Sequence, residues 1–406
     1  MRSGRHHRPP TITTPALLAL LALLALLALL LGTGVRIGRP GGGAPGRACP
    51  LRHSPCQTHS LLQLVVKPEG LAVPLSYQQG VYEVDLWVGQ HAIRAVLDTG
   101  SERLIVAGDQ CVQNSRCTGA GGVYHVHPAA QHLDTSTIAY GTQKDHVHWF
   151  DETLSLPAVP MADTCALAWQ PTSTQKVEVG LEVGVVQQRS GATNLNVMGF
   201  CPPLEHGTRR TLLHRLLGPR AVFGLVLEGK RGWLVLGRTL SLCRPMQTLP
   251  LVRFRNYKYL MVRVHGVHVL NERTGERRSC RHAPQYAILD TGSNMLSVST
   301  PLLREMDLAC HRRHQTLEVD FGQDCVQSYR AHDYCLQQQL LVRDNLPLAP
   351  SQQPAVMLLG SMFLRQRCIE FDLGEQVVRI GPMGAMGGEP LPSSTPVPLP
   401  RIKKNM

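Results

Sequence analysis

The chain of 406 residues is long enough for two or three domains, and its hydrophobic content of 43% is that of a globular protein. Its net charge is +12, from 41 basic and 29 acidic residues, but the basic residues are scattered or paired. Because no long basic run with interleaved aromatic residues is present, this composition argues against a nucleic-acid-binding protein.

The first 34 residues have the parts of a secretory signal. Arginines at positions 2, 5 and 8 precede Ala16–Leu31, which contains only alanine and leucine, and three small residues follow. This pattern is typical of a signal peptide, although the apolar run is slightly long for one and slightly short for a span of ~20 residues. We therefore predict a signal peptide or, if the segment is not cleaved, a type II signal-anchor. Both place the rest of the chain in the lumen of the secretory pathway or outside the cell, and only the anchor makes a membrane a partner.

A linker rich in glycine and proline begins at residue 35 and extends to about residue 75. The chain has twelve cysteines, and all of them follow the apolar segment. An even number in this position favours disulfides formed in an oxidising compartment. Cys49 and Cys56 in the linker are candidates for one bridge. Further along, Cys310, Cys325, Cys335 and Cys368 allow more bridges, but the sequence does not decide their pairing.

Two strands are predicted to lead into the first candidate site. Tyr82–Val88 alternates between apolar and polar residues, which indicates a half-buried strand. Ile93–Leu97 is the next strand and ends at Asp98. The following residues, Thr99, Gly100 and Ser101, combine hydroxyl groups with a glycine that permits a tight turn.

A β-hairpin is predicted next, from a strand ending near Tyr140 and a returning strand at His146–Phe150. We expect its polar tip at Gln143–Asp145. Histidine pairs at 125/127 and 146/148 raise the alternative of a metal site, since histidine binds zinc well. The Cys/His spacing of a closed zinc site is absent, so we predict surface histidines and no metal.

The rest of the first half carries a strand at Leu195–Phe200, a short helix within 209–217 and a strand at Gly232–Gly237. The second half repeats the plan. Strand residues occur within Tyr259–Val269, and a short helix at Pro301–Met306 has Thr300 as its expected cap. We predict an N-terminal lobe at 76–246, a C-terminal lobe at 247–382 and a disordered tail at 383–406.

The decamer Ala95–Leu104 recurs as Ala287–Leu296, with seven of ten positions identical. The second copy supplies Asp290, followed by Thr291, Gly292 and Ser293. One Asp-Thr-Gly would match an ordinary turn, but two copies within matching decamers indicate a duplicated site. Two carboxyls held about 3 Å apart cannot both ionise, so they share one proton. The ionised carboxyl can then take a proton from water while the protonated one polarises a peptide carbonyl.

These motifs resemble those of the pepsin-like aspartic peptidases. The resemblance implies an all-β, bilobal fold with a central cleft, in which each lobe donates one catalytic aspartate, Asp98 or Asp290. The neighbouring Thr, Gly and Ser residues of each motif would orient the pair. Tyr140, Gly141 and Thr142 match the family's flap in identity and in their spacing from Asp98, and would contact substrate.

The same resemblance implies an aspartic endopeptidase that is active in acid and binds an extended peptide. It implies no cofactor, a monomer because one chain supplies both loops, a local disulfide between Cys111 and Cys117, and an inhibitory propeptide within 35–75. Two positions depart from the family pattern. Ile105 stands where the family has a Trp that bonds the flap Tyr, so Trp149 is a candidate substitute, and Ser361 replaces a usual Asp. The alternative reading is a catalytically silent relative that acts as a binding or inhibitory protein.

Overall fold

The computed structural model describes residues 70–382 apart from 129, 141–142, 161–174, 191–195, 204–210, 238–245, 254–258, 324, 337–338, 341 and 344–354. The predicted signal segment, residues 35–69 of the predicted linker, which include Cys49 and Cys56, and the tail lie outside the described residues. The predicted end of the linker at 75 is wrong, because residues 71–75 belong to a strand of the first lobe. Within the described part of the chain, no helix has the length and apolar character needed to cross a membrane.

Strands make up most of the described chain, as predicted for an all-β protein. The strands are β1 (Leu71–Gln78), β2 (Val81–Val88), β3 (His91–Asp98), β4 (Leu104–Ala107), β5 (His132–Tyr140), β6 (Gln143–Pro160), β7 (Gln175–Ser190), β8 (Asn196–Gly199), β9 (Val222–Glu228), β10 (Arg231–Leu236), β11 (Gln247–Val252), β12 (Met261–Arg263), β13 (Gly266–Asn271), β14 (Arg277–Ser279), β15 (Tyr286–Asp290), β16 (Leu296–Ser297), β17 (Gln315–Asp320), β18 (Val326–Arg330), β19 (Cys335–Leu336), β20 (Gln339–Leu340), β21 (Val342–Arg343), β22 (Val356–Gly360), β23 (Arg367–Asp372) and β24 (Val377–Pro382). The helices among the described residues are α1 (Asp109–Gln113), α2 (Leu212–Leu217), α3 (Thr300–Met306), α4 (Ala331–Tyr334) and α5 (Ser361–Leu364).

The two halves of the chain share one plan around their aspartate loops. In the first half, β3 runs parallel to β8, and β4 runs antiparallel to the same strand. In the second half, β15 runs parallel to β22, and β16 runs antiparallel to it. Asp98 pairs with Gly199 and Asp290 pairs with Gly360. The repeated decamers therefore occupy equivalent positions in two β lobes.

A single antiparallel sheet joins the lobes, with the order β11–β24–β23–β9–β10–β1. Strand β23 lies at its centre, where Ile369 pairs with Leu225 of β9 on one side and with Ile380 of β24 on the other. These side chains are buried in the main hydrophobic core, which contains residues of both halves. Burial of this shared apolar surface stabilises the lobes as one unit.

Several local predictions are confirmed. The strands entering both aspartate loops are buried, since Val96 is 2% exposed and Leu97 and Ile288 are 0% exposed. Cys111 and Cys117 form the local disulfide. A second disulfide joins Cys310 to Cys335, a pairing that the sequence left open.

Two local predictions are wrong, and a third region is more divided than its pattern suggested. Gln143–Asp145 is not the hairpin tip, because β6 begins at Gln143 and pairs it with Tyr140. The cap of α3 is Ser299, whose hydroxyl accepts the N–H of Leu302, and not Thr300, which lies inside the helix. The strand residues of 259–269 separate into β12 and β13, which belong to different sheets.

Candidate active site

The loops that follow β3 and β15 meet so closely that only glycine fits at their turns. A β-carbon added to Gly100 would lie 2.6 Å from Asp290 Oδ1, and one added to Gly292 would lie 2.4 Å from Asp98 Cγ. Real β-carbons essentially never approach other atoms this closely. Each glycine therefore lets its loop lie directly against the carboxyl group of the opposite lobe.

A reciprocal hydrogen-bond network locks the two loops together. Thr99 N–H donates to Thr291 Oγ1 at 3.1 Å, and Thr291 N–H donates to Thr99 Oγ1 at 3.0 Å. The Thr99 hydroxyl donates to the carbonyl of Leu289 at 2.7 Å, and the Thr291 hydroxyl donates to that of Leu97 at 2.5 Å. Both threonines are 0% exposed. Since the N–H and hydroxyl groups of both buried threonines are paired across the lobes, this network fixes the separation of the lobes at the site.

Backbone N–H groups orient the two carboxyls. Gly100 N–H donates to Asp98 Oδ1 at 2.7 Å, and Gly292 N–H donates to Asp290 Oδ1 at 2.9 Å. Asp98 is 8% exposed, whereas Asp290 is half-buried by surface area. Asp290 is nevertheless enclosed by the packed loops of the cleft floor, and its carboxyl lies within hydrogen-bond reach of Asp98.

The pKa of Asp290 is raised well above its usual value. Desolvation is the largest cause, followed by the negative charge of Asp98 and the hydrogen bond between the two carboxyls. The backbone N–H groups of Gly292 and Ser293 act in the opposite direction but do not cancel these effects. The pair therefore retains a proton at a pH where an isolated aspartate would have lost it.

The serines of the two motifs tie their loops to neighbouring backbone. The carbonyl of Ser101 accepts the N–H of Cys201 at 2.8 Å, and that of Ser293 accepts the N–H of Ser361 at 2.6 Å. Ser361 is 0% exposed, and its hydroxyl donates to the carbonyl of Gly80. The residue that replaces the family's usual Asp thus links the second loop to the turn between β1 and β2.

A cavity of about 500 Å³ lies between the loop that follows Asp98 and the β5–β6 hairpin. The residues that line it are Gly100, Ser101, Glu102, Arg103, Asp134, Ser136, Thr137, Ile138, Ala139, Trp149 and Tyr259. Tyr140 is the last residue of β5 and reaches the end of this wall. Its side chain, Gly141 and Thr142 lie outside the described residues, so their contact with substrate stays a prediction.

Trp149 fastens the β5–β6 hairpin in this protein. The family's own Trp stands at the position that Ile105 occupies here. Its side chain is 1% exposed and packs in a small cluster with Ile105, which is fully buried. Its indole N–H donates to Ser136 Oγ on β5 at 2.7 Å. The Arg103 guanidinium lies 4.7 Å from the centre of its ring, a favourable cation–π arrangement. Trp149 therefore holds β6 to β5 through Ser136, and its replacement of the family's Trp in bonding the flap Tyr140 stays a prediction.

One histidine of each pair contacts a nearby polar side chain. His125 Nδ1 lies 2.5 Å from Asp109 Oδ1, and His146 Nδ1 lies 3.0 Å from Thr137 Oγ1. In the part of the chain that the structure describes, no three residues among His, Cys, Asp and Glu are grouped so that they could hold a metal ion.

The comparison with protein families agrees with this geometry. A family model described as eukaryotic aspartyl protease matches residues 81–383. The chain belongs to the eukaryotic aspartyl protease family. No curated protein gives a significant match to the sequence. The matched residues of this aspartyl protease family member include both aspartate loops, the β5–β6 hairpin and most of the sheet that joins the lobes.

Sequence reasoning missed two features that support the site in this member of the aspartyl protease family. Asn196 is 3% exposed, accepts the N–H of Ala107 at 2.8 Å and donates to the carbonyls of Arg94 and Gly121. It braces the strands behind Asp98, and an amide within the predicted strand Leu195–Phe200 was the signal available. The second feature is the buried ion pair between Asp145 on β6 and Arg189 on β7. The sequence carried no local signal for it.

Proposed function

We propose that this protein is an aspartic endopeptidase, in which Asp98 and Asp290 together activate one water molecule for the hydrolysis of a peptide bond. The ionised carboxyl removes a proton from the water, and the protonated carboxyl donates a hydrogen bond to the peptide carbonyl. The water oxygen then adds to the carbonyl carbon, and a proton passes to the leaving nitrogen as the C–N bond breaks. No covalent enzyme intermediate forms.

The observation that carries this proposal is the close contact between the two loops across the lobes. Each glycine lies against the opposite carboxyl, the threonines lock the crossing, and the pKa of Asp290 is raised by desolvation and by Asp98. A carboxyl pair that shares one proton is the arrangement that this chemistry requires. Because the pair must keep one proton, activity should be highest in acid.

The proposed substrate is a polypeptide in extended conformation. The cavity of about 500 Å³ lies between the first loop and β5, so a peptide placed there would run between the loop that follows Asp98 and the hairpin. In this proposal Tyr140, Gly141 and Thr142 cover the scissile bond and exclude water. Alternate side chains of an extended peptide would enter pockets on opposite sides.

The proposed location is the secretory pathway, with the protein lumenal or secreted. The two described disulfides, Cys111–Cys117 and Cys310–Cys335, support an oxidising compartment. The apolar segment Ala16–Leu31 would direct the chain there, as a cleaved signal or as an anchor.

Cleavage of an unbiased peptide library by the full chain, expressed in a eukaryotic secretory host, tests the function. The library is sampled from about pH 3 to about pH 8, alongside the Asp98→Asn and Asp290→Asn variants. We expect cleavage in acid that both substitutions abolish. Cleavage that survives in both variants would assign the activity to another protein. The absence of cleavage by the parent at every pH, with and without removal of residues 35–69, would favour the silent binding protein.

A further inference from the structure

Two charged side chains are buried together near the end of the β5–β6 hairpin. The side chains of Asp145 on β6 and Arg189 on β7 are 0% and 1% exposed. Arg189 Nε donates to Asp145 Oδ1 at 3.0 Å and lies 3.2 Å from Oδ2, while Nη2 donates to Oδ2 at 2.8 Å. Gln143 Nε2 adds a bond to Oδ2 at 3.1 Å. The guanidinium therefore clamps the carboxylate in a two-nitrogen fork.

The pair lies close to the part of the hairpin that borders the cleft. Asp145 is paired with Ile138 of β5 on one side and with Arg189 of β7 on the other. Ile138 and its neighbour Ala139 line the cavity between the hairpin and the loop that follows Asp98. The last pair of the hairpin, Tyr140 opposite Gln143, lies two residue pairs beyond Asp145. A shift of β6 at Asp145 would therefore move the wall of the cleft.

The pair also lies immediately beyond an irregularity in the sheet. The β6–β7 register runs His146↔Gln188 and then Val147↔Val186, so one residue of β7 is unmatched between them. A bulge bends its strand and interrupts the ladder, which weakens the control of register on its outer side. The Asp145–Arg189 pair is the next one toward the turn, so its fork fixes the register of the segment that the bulge leaves least constrained.

Stability alone does not account for such a pair. Removing two charges from water costs several kcal/mol each, and apolar residues of similar size often serve stability as well or better. The best supported use of a buried polar pair is to select one arrangement among several. In this protein the Asp145–Arg189 pair would select one arrangement of the end of the β5–β6 hairpin. Among the residues that the structure describes, Arg189 Nη1 is buried with no hydrogen-bond partner, so the described hydrogen bonds of the guanidinium all go to Asp145.

We propose that Asp145 and Arg189 are positioning residues that hold the end of the β5–β6 hairpin over the cleft. The inference rests on the proposed peptidase function for its consequence, which is that the pair organises the peptide-binding wall. With Trp149 fastening the base of the hairpin, the pair fastens its outer half. The residues act through β5 and do not touch the reacting atoms, so their loss should weaken peptide binding more than the chemical step.

The test measures KM and kcat for one peptide cleaved by the parent and compares three variants. Asp145→Asn leaves the buried guanidinium without its counter-charge, and Arg189→Lys keeps the charge but cannot form the fork. Both should raise KM by about tenfold or more while kcat changes by less than about threefold. The double variant Asp145→Asn/Arg189→Gln, which replaces the ions by a neutral hydrogen-bonded pair and removes the unpaired charge, should recover most of the lost KM.

Glu370→Gln is the matched control. The Glu370 side chain is 2% exposed and forms an ion pair with Arg379, whose side chain is 24% exposed, with Nη1 2.6 Å from Oε1. Their strands pair with neither β5 nor β7. This variant should lower stability and leave KM unchanged. If Asp145→Asn behaves like Glu370→Gln, the pair is structural only and the proposal is overturned.

Hydrogen exchange of the peptide-free protein, followed by mass spectrometry, keeps this test separate from the proposed activity. Asp145→Asn and Arg189→Lys should accelerate exchange in 132–150 more than elsewhere, and Glu370→Gln should not. Unchanged exchange in the hairpin of both variants would refute the inference even if the protein is a peptidase. Faster local exchange in a protein that cleaves no peptide would uphold the positioning role and reject the peptidase. If Asp145→Asn does not fold, Arg189→Lys and the double variant decide the question.

Discussion

Replacing Gly292 by alanine perturbs the carboxyl pair directly while leaving every titratable group in place. The new β-carbon would lie 2.4 Å from Asp98 Cγ, 2.4 Å from Oδ1 and 2.9 Å from Cβ. The backbone at Gly292 does not have the positive φ of a left-handed conformation, so alanine adds no backbone strain there. The whole effect is therefore the contact with Asp98.

The size of the effect follows from that contact. Non-bonded carbon atoms prefer separations of about 3.5 Å or more, so the Asp98 carboxyl must withdraw by roughly 1 Å. A displacement of about 1 Å from the reacting geometry costs on the order of a hundredfold in rate. We expect kcat to fall by about that factor, which corresponds to ~2.7 kcal/mol in the activation barrier.

The assay is the kcat of the full chain on a peptide cleaved by the parent. Gly100→Ala is the symmetric variant, since its β-carbon would lie 2.6 Å from Asp290 Oδ1, and it should cause a similar loss. Gly180→Ala is the control, because no atom lies within 4 Å of its β-carbon, and it should leave kcat unchanged. A kcat for Gly292→Ala within about twofold of the parent would refute the inference that the opposite loop sets the position of Asp98.

Three further predictions concern the supports of the site. Thr99→Val removes both a donor and an acceptor from a buried network, so we expect urea unfolding to show a loss of about 2 kcal/mol or more, whereas Thr99→Ser should lose much less. The raised pKa of Asp290 means that its contribution to stability is complete below about pH 4 and is lost as the pH rises through the folded-state value. Asp290→Asn should therefore become more stable relative to the parent as the pH rises, and a pH-independent difference would contradict this. Trp149→Phe removes the hydrogen bond to Ser136, so it should lower the unfolding free energy by about 1 kcal/mol or more, and the same substitution in a Ser136→Ala variant should cost less, because the hydrogen bond is already absent.

The two aspartate loops could be predicted from the sequence because their information is local. Each lies at the end of an apolar run, and its glycine and threonine follow at fixed positions within one decamer. The buried strands before Asp98 and Asp290 follow from the same pattern. The proximity of Asp98 and Asp290 could also be predicted, because the chemistry expected of a duplicated Asp-Thr-Gly motif requires two carboxyls that are close enough to share a proton.

The hairpin tip could not be predicted in the same way. Gln143–Asp145 is polar and follows a glycine and a threonine, which is typical of a turn. Asp145 is buried because Arg189, 44 residues later in the chain, lies opposite it on the neighbouring strand. No window around residue 145 contains this partner. The Cys310–Cys335 bridge was hidden for the same reason, since pairing depends on which loops meet in space.

The sheet that joins the lobes also determines how much of the chain must be synthesised before the two aspartate loops can be held together. Its central and flanking strands, β23 and β24, are among the last described segments to leave the ribosome, yet β23 must insert beside β9. Asp290 likewise depends on β22, which pairs along the whole of β15. A nascent chain that ends before residue 382 therefore lacks part of the framework that aligns the two carboxyls. If the protein cuts peptides, it acquires that capacity only after its own synthesis through this region is complete, which protects the unfinished chain and neighbouring proteins from cleavage.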